Sequence, residues 1–261
     1  SDFQVLPLPL ACYLLHINTS IYVVMKPEIK VALLNLRGSF KVLAVLLLGI
    51  VVLTVSCKKD RVEDVQVDAS ALNVMNASPG MLAISFFLDN QFVNGPALLF
   101  QQQSGYIVTY TGNRKFDVTV GGTTQVLTTN TLSLQKDLYY TAFFAGTNAS
   151  PIIVFTQDDL SDPPAGKAKI RFINLSPDAT ALDLVIKGGA KLFSGLSFKT
   201  VSDFIAIDPA VYSFELRSGE TVNKEMTSVQ LATGKVYTLW AKGLLTGTGE
   251  TAFNGQLTTN R

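Results

Sequence analysis

Residues 71–79 read Ala-Leu-Asn-Val-Met-Asn-Ala-Ser-Pro, and residues 169–177 read Lys-Ile-Arg-Phe-Ile-Asn-Leu-Ser-Pro. Both stretches end in Asn-x-Ser-Pro, 98 residues apart. The likeness continues in order. Ile84 to Leu88 aligns with Leu182 to Ile186 at the same offset, Phe116 to Val120 with Tyr212 to Leu216 at offset 96, and Tyr139 to Gly146 with Val236 to Gly243 at offset 97. Four segments in order at a nearly constant offset indicate two copies of one unit of about 90 residues.

Each copy reads as strands. Ile170 and Phe172 alternate with Lys169 and Arg171, and Leu182, Leu184 and Ile186 alternate with Asp183, Val185 and Lys187. A period of two places one face inward and the other outward. Gly121-Gly122, Gly188-Gly189 and Asn94-Gly95-Pro96 punctuate the runs as turns. No helical pattern of ten residues appears. The expected fold class is all-β, two tandem immunoglobulin-like β-sandwich domains after an N-terminal signal and lipobox segment.

The chain before the first copy has a different composition. Residues 1–24 read as an upstream extension, and Met25 is the first Met. Residues 25–56 have the order of an export signal: Lys26, Lys30, Arg37 and Lys41, then an apolar run of 14 residues from Val42 to Val55, then Ser56. As a helix this run is about 21 Å long, short of the ~30 Å hydrocarbon core of a bilayer. Leu53-Thr54-Val55-Ser56-Cys57 resembles a bacterial lipobox, with Thr54 where that motif usually has Leu. The resemblance implies a diacylated Cys57 and attachment to a membrane. Residues 57–69 then form a charged tether, 70–156 the first sandwich, 157–166 a linker with Pro163-Pro164, and 167–261 the second sandwich. A Pro-containing linker implies two separable units.

Charge and composition exclude several functions. The chain carries 21 Lys and Arg against 20 Asp and Glu, so no basic excess exists to neutralise nucleic-acid phosphates. It has one His, His16, and two Cys, Cys12 and Cys57. Removing residues 1–56 takes away four bases, two acids and the His, which leaves 17 bases, 18 acids and Cys57. No cofactor, metal site or catalytic residue is therefore expected, and the reading is not an enzyme. Asp158, Asp159 and Asp162 lack a calcium-loop spacing and read as solvated linker. Asp178, Asp183, Asp203 and Asp208 are the carboxylates a glycan hydrolase would draw on, and turn or outward strand positions also explain them. Tyr139, Phe143, Tyr237 and Trp240 are the candidate ligand surface, because exposed rings in a row stack on sugars, but adjacent rings on a strand point to opposite faces and core packing is expected to take most of them.

A lipobox Cys followed by paired units that open with Asn-x-Ser-Pro resembles the family called domain of unknown function 4397. Ser176-Pro177-Asp178 matches the family's opening turn, and Ser78-Pro79-Gly80 departs at its last residue. The resemblance spans roughly residues 70–258 and is clearer in the second copy. It implies a fold and an envelope location and no activity. The expected function is a membrane-anchored, non-catalytic lipoprotein of the bacterial cell envelope that acts as a structural, adhesion or ligand-binding module. Its expected place is the outer membrane, facing outward, with a glycan or an envelope protein as ligand. The alternative is a glycan-processing enzyme or an accessory subunit of an outer-membrane uptake system.

Overall fold

The computed structural model describes residues 68–80, 83–93 and 95–261. The signal segment, Cys57 and the tether up to Val67 lie outside the described residues. The rest is all-β. In the first copy the strands are β1 (Ala69–Asn76), β2 (Ala83–Leu88), β3 (Gln91–Phe92), β4 (Leu98–Leu99), β5 (Ile107–Tyr110), β6 (Gly112–Val120), β7 (Val126–Leu134), β8 (Tyr139–Thr147) and β9 (Ser150–Asp158). In the second they are β10 (Ala168–Asn174), β11 (Leu182–Ile186), β12 (Lys191–Leu196), β13 (Ile205–Ile207), β14 (Val211–Ser218), β15 (Thr221–Gln230), β16 (Val236–Lys242) and β17 (Asn254–Thr259).

Each copy is a two-sheet sandwich, and the two have matching strand orders. One sheet runs β5-β1-β8-β9 in the first copy and β13-β10-β16-β17 in the second. The other runs β3-β2-β6-β7, with β4 also on β2, and β12-β11-β14-β15. The opening strand of each copy sits inside its sheet. It pairs parallel with the penultimate strand, Leu72 opposite Tyr140 and Ile170 opposite Tyr237. A parallel pair needs a long crossover, and here the crossover is the whole second sheet. The ladders also refine the repeat. Leu88 faces Phe116 and Ile186 faces Phe214, so β6 and β14 correspond at offset 98 and not 96. A slip of two residues keeps every side chain on its face, so alternation alone cannot detect it.

The Asn-x-Ser-Pro motif builds the same corner twice. The Asn76 side chain donates to the Leu98 carbonyl at 3.0 Å and accepts from the Ser78 N–H at 3.2 Å. Asn174 donates to the Leu196 carbonyl at 2.9 Å and accepts from the Ser176 N–H at 3.1 Å. The Ser78 and Ser176 hydroxyls then donate to the carbonyls of Gly146 and Gly243. Both glycines have positive φ, and a Cβ on either would lie 2.3 Å from a carbonyl oxygen. Only Gly fits there.

Each sandwich has its own core. Leu72, Ile84, Phe86, Phe116 and Phe144 fill the first, and Ile170, Phe172, Leu184, Phe214 and Leu239 the second. A third apolar cluster joins the copies: Met75, Phe143 and Val154 from one pack with Ile173, Leu175 and Trp240 from the other. These residues alternate with the sandwich-core residues along β1, β8, β10 and β16. Those four strands are therefore buried on both faces, and the β1-β8 and β10-β16 sheets meet back to back. The chain segment 65–261 is one compact unit. The separability implied by the Pro-containing linker is not what the packing shows, because a shared core crosses it.

Candidate functional site

Of the four aromatic residues selected from the sequence, three are not on the surface. Phe143 and Trp240 are 1% and 0% exposed and belong to the cluster between the copies. The Trp240 Nε1–H donates to Thr258 Oγ1 at 3.1 Å. Tyr237 is buried as well, and its hydroxyl accepts from the Ala232 N–H at 3.0 Å, as that of Tyr140 accepts from the Gln135 N–H at 3.2 Å. A tyrosine that bonds its own upstream turn in both copies serves the fold. Core packing thus takes most of these rings: Phe143 and Trp240 because the second face of their strands meets the other copy and not water, and Tyr237 because it faces its own sandwich core. Tyr139 alone is exposed, at 42%.

The linker assignment is corrected at Asp158, which ends β9 and is buried. Its Oδ1 accepts from Arg171 Nη2 at 2.5 Å, and its Oδ2 accepts from the Tyr106 hydroxyl at 2.6 Å and from Thr141 Oγ1 at 2.5 Å. Arg171 Nε donates to Thr238 Oγ1 at 3.0 Å, and the guanidinium lies 4.6 Å from the centre of the Phe204 ring. The Tyr106 hydroxyl also accepts from Asn260 Nδ2 at 3.2 Å. Burial, and then the Asp158 charge, push the Tyr106 phenol well above its ordinary pKa. The network is a polar lock between the copies, fully partnered, which is the condition under which a buried ion pair is tolerated. In the repeat Asn73 occupies the position of Arg171, so the lock is specific to the seam.

Of the other carboxylates singled out, Asp159, Asp162, Asp178, Asp183 and Asp208 are also engaged. Asp159 is held at about 2 chiefly by Lys169, with Ser161 adding to it. Burial alone would raise Asp178, but the N–H groups of Leu245 and Thr246 outweigh it and hold the carboxyl below its usual value. Asp183 pairs with Lys191 and Asp208 with Lys167. Asp159, Asp178 and Asp183 are all lowered, away from the range of a general acid. Among the described residues, no three His, Cys, Asp or Glu side chains come together to hold a metal ion.

Beside the polar network lies a cleft of about 640 Å³ lined by Tyr106, Leu138, Tyr139, Gln157, Leu160 and Arg261. The Tyr106 and Tyr139 rings meet edge to face, with centroids 5.4 Å apart. A second hollow of about 750 Å³ lies beside edge strand β5, lined by Ala69, Leu88, Val93, Val108, Tyr110 and Arg114. Ala71 joins the two, since it pairs with Val108 on one side and Tyr139 on the other. Val108 and Tyr110 are 82% and 60% exposed. Sequence reasoning missed both, although their absence from the second copy was a usable signal: the ladder puts Ala206 opposite Lys169, where Val108 stands opposite Ala71.

Several comparisons give likenesses. The C-terminal domain of AlgF from P. aeruginosa is 21% identical, covers 36% of this chain and 98% of its own, and has a TM-score of 0.29. A family CBM26 module of Eubacterium rectale Amy13K, solved with maltoheptaose, is 10% identical over 73% of this chain and 96% of its own, with a TM-score of 0.24. A structure described as alpha-glucan binding by a streptococcal virulence factor is 10% identical over 67% of this chain and 92% of its own, with a TM-score of 0.20. No curated protein matches. A family model matches residues 70–185. That stretch takes in the first sandwich and the opening two strands of the second, whereas the sequence resemblance was read to 258 and as clearer in the second copy. Over those residues the chain is DUF4397-like, similar to the family described as Domain of unknown function (DUF4397).

Proposed function

We propose that this chain is a non-catalytic binding module of the bacterial cell envelope, anchored by lipid on Cys57 and displayed from the outer membrane. The observation that carries the binding reading is the inequality of the two copies. The repeated residues, Asn76 and Asn174, Tyr140 and Tyr237, Gly146 and Gly243, serve the fold in both. The exposed rings Tyr110 and Tyr139 stand in one copy only. Exposed apolar side chains gathered on one face call for a reason outside the fold.

The anchor rests on the lipobox resemblance and on the physical need it meets. Stable attachment takes two or more acyl chains, which a diacylated Cys supplies. The test is metabolic labelling with fatty acid of wild-type protein and Cys57→Ser. Label on the wild type and none on the variant is the expected result, and a labelled variant overturns the anchor. Protease added to intact cells should degrade the described unit; full protection until lysis overturns outward display. Turnover of any glycan by the purified protein overturns the non-catalytic reading.

A further inference from the structure

We propose that the outer face of the β5-β1-β8 sheet, from Tyr110 across Ala71 to Tyr139, binds a neutral glycan chain. The proposal rests on the binding-module reading above and names its site and ligand class. The face follows from the register. Ala69 pairs with Tyr110, Ala71 pairs with Val108, and Ala71 pairs again with Tyr139. Leu72, the next residue, points into the sandwich core. Tyr110, Val108 and Tyr139 therefore share one face, with Ala69 and Ala71 as a low floor between them.

The second copy is an internal control for this face. Its fold is the same, and ladder positions correspond one to one. Ala71 corresponds to Lys169, Val108 to Ala206 and Tyr139 to Val236. Counting two residues further places Asp208 where Tyr110 stands, and Asp208 pairs with Lys167. Val236 is fully buried, while Tyr139 is exposed. The sandwich is thus built equally well without the apolar and aromatic set, and the fold does not account for it.

Three properties select a neutral polyhydroxyl chain. The two tyrosines lie two strands apart and two residues out of step, roughly 10 Å across and roughly 7 Å along the strands. That spacing suits several linked sugar rings and exceeds one. Aromatic faces take the C–H faces of sugars, and the rims carry planar amides, Gln91 in one hollow and Gln157 in the other. The cations lining the hollows are already matched: Arg114 pairs with Asp89 at 2.8 Å, and Arg261 pairs with Asp162. A polyanion would find neither guanidinium free.

The test is calorimetric titration of the full-length protein, in mild detergent, with soluble glucan, mannan, xylan and galactan, and with polygalacturonate as the anionic contrast. At least one neutral polymer should bind saturably with little dependence on salt. Tyr110→Ala and Tyr139→Ala should each weaken binding about tenfold, the scale of one lost aromatic contact. Val211→Ala, an exposed position in the second copy, should leave it unchanged. A single cooperative denaturation transition, well above the titration temperature, in each variant separates loss of binding from loss of fold. No binding by any neutral polymer, binding indifferent to both tyrosines, or binding confined to polygalacturonate and abolished by salt each overturns the proposal. So does a dimer of the full chain that Tyr110→Ala dissolves, which would assign the face to a second copy. Failure of the anchor reading would appear instead in the fatty-acid labelling, which none of these outcomes moves.

Discussion

The β1-β8 and β10-β16 sheets and the sheets built on β2-β6 and β11-β14 come from the same alternating pattern, but they have different second faces. The first pair turn their second faces on each other, and Met75, Phe143, Ile173 and Trp240 are buried there. The second pair turn theirs outward and fill them with charge: Asp117 with Lys115 and Thr129, Asp183 with Lys191, Glu215 with Arg217. A strand's alternation reports that its faces differ, not that one of them meets water. The middle sheets should thus dominate stability, and the outer ones should tolerate change.

The strongest way to break this comparison is at the seam. Trp240→Ala removes a ring with no solvent exposure. It should cost about 3–5 kcal/mol, the usual range for such a deletion in a core. Because the ring touches both copies, denaturant melts should show one transition in the wild type, and the variant should lower the midpoint for both copies together. Two separated transitions in the wild type would refute the shared core.

The polar lock offers a second test. Asp158→Ala leaves Arg171 buried without its carboxylate and should cost about 3–5 kcal/mol. Asp158→Leu combined with Arg171→Met removes both charges and should recover much of that loss. If the double variant is as unstable as the single one, the pair does more than compensate its own burial. The corresponding change on an outer sheet, Asp117→Ala, leaves Lys115 half exposed to water and should cost no more than about 1 kcal/mol.

Much of this was legible in the chain. The repeat, the strands and the Asn-x-Ser-Pro corner follow from periodicity and from side chains that bond nearby backbone. The seam was not, because Arg171 and Asp158 each have an ordinary local reading, one as an outward strand residue and one as a linker acid. Only their pairing across the copies explains their burial. Trp240 and Phe143 misled for the same reason: ring chemistry pointed to sugars, and a face-to-face neighbour that local sequence does not encode took them. Asn73 in place of Arg171, and Val236 in place of Tyr139, were the differences between copies that carried the missing information.

Acid should distinguish the regions by a smaller effect. Asp117, Asp178 and Asp183 lie below the ordinary carboxyl value of 3.8, and Asp159 lies at about 2. A carboxyl whose folded pKa is depressed stabilises the fold above its unfolded value and loses that contribution as pH falls through the folded value. Stability should therefore be flat above pH 5 and decline from about pH 4 towards pH 2. Asp159 is largely solvated, so its share should shrink in high salt. A decline centred near pH 6 would point to groups other than these.

A difference between two single variants sharpens the comparison most, because it sets one ladder position against itself. Val236→Ala empties part of a buried site and should cost about 1–3 kcal/mol. Tyr139→Ala, at the matching place in the first copy, removes a ring that is 42% exposed and meets Tyr106 edge to face. It forfeits that ring contact, about 0.5–1.5 kcal/mol, and little core packing. The ordering is the prediction: Val236→Ala should destabilise more than Tyr139→Ala although it deletes the smaller side chain. Thermal melts of the two variants side by side would measure it. If Tyr139→Ala proves the more damaging, the ring is part of the seam's packing, and its exposure does not mark a surface kept for a ligand.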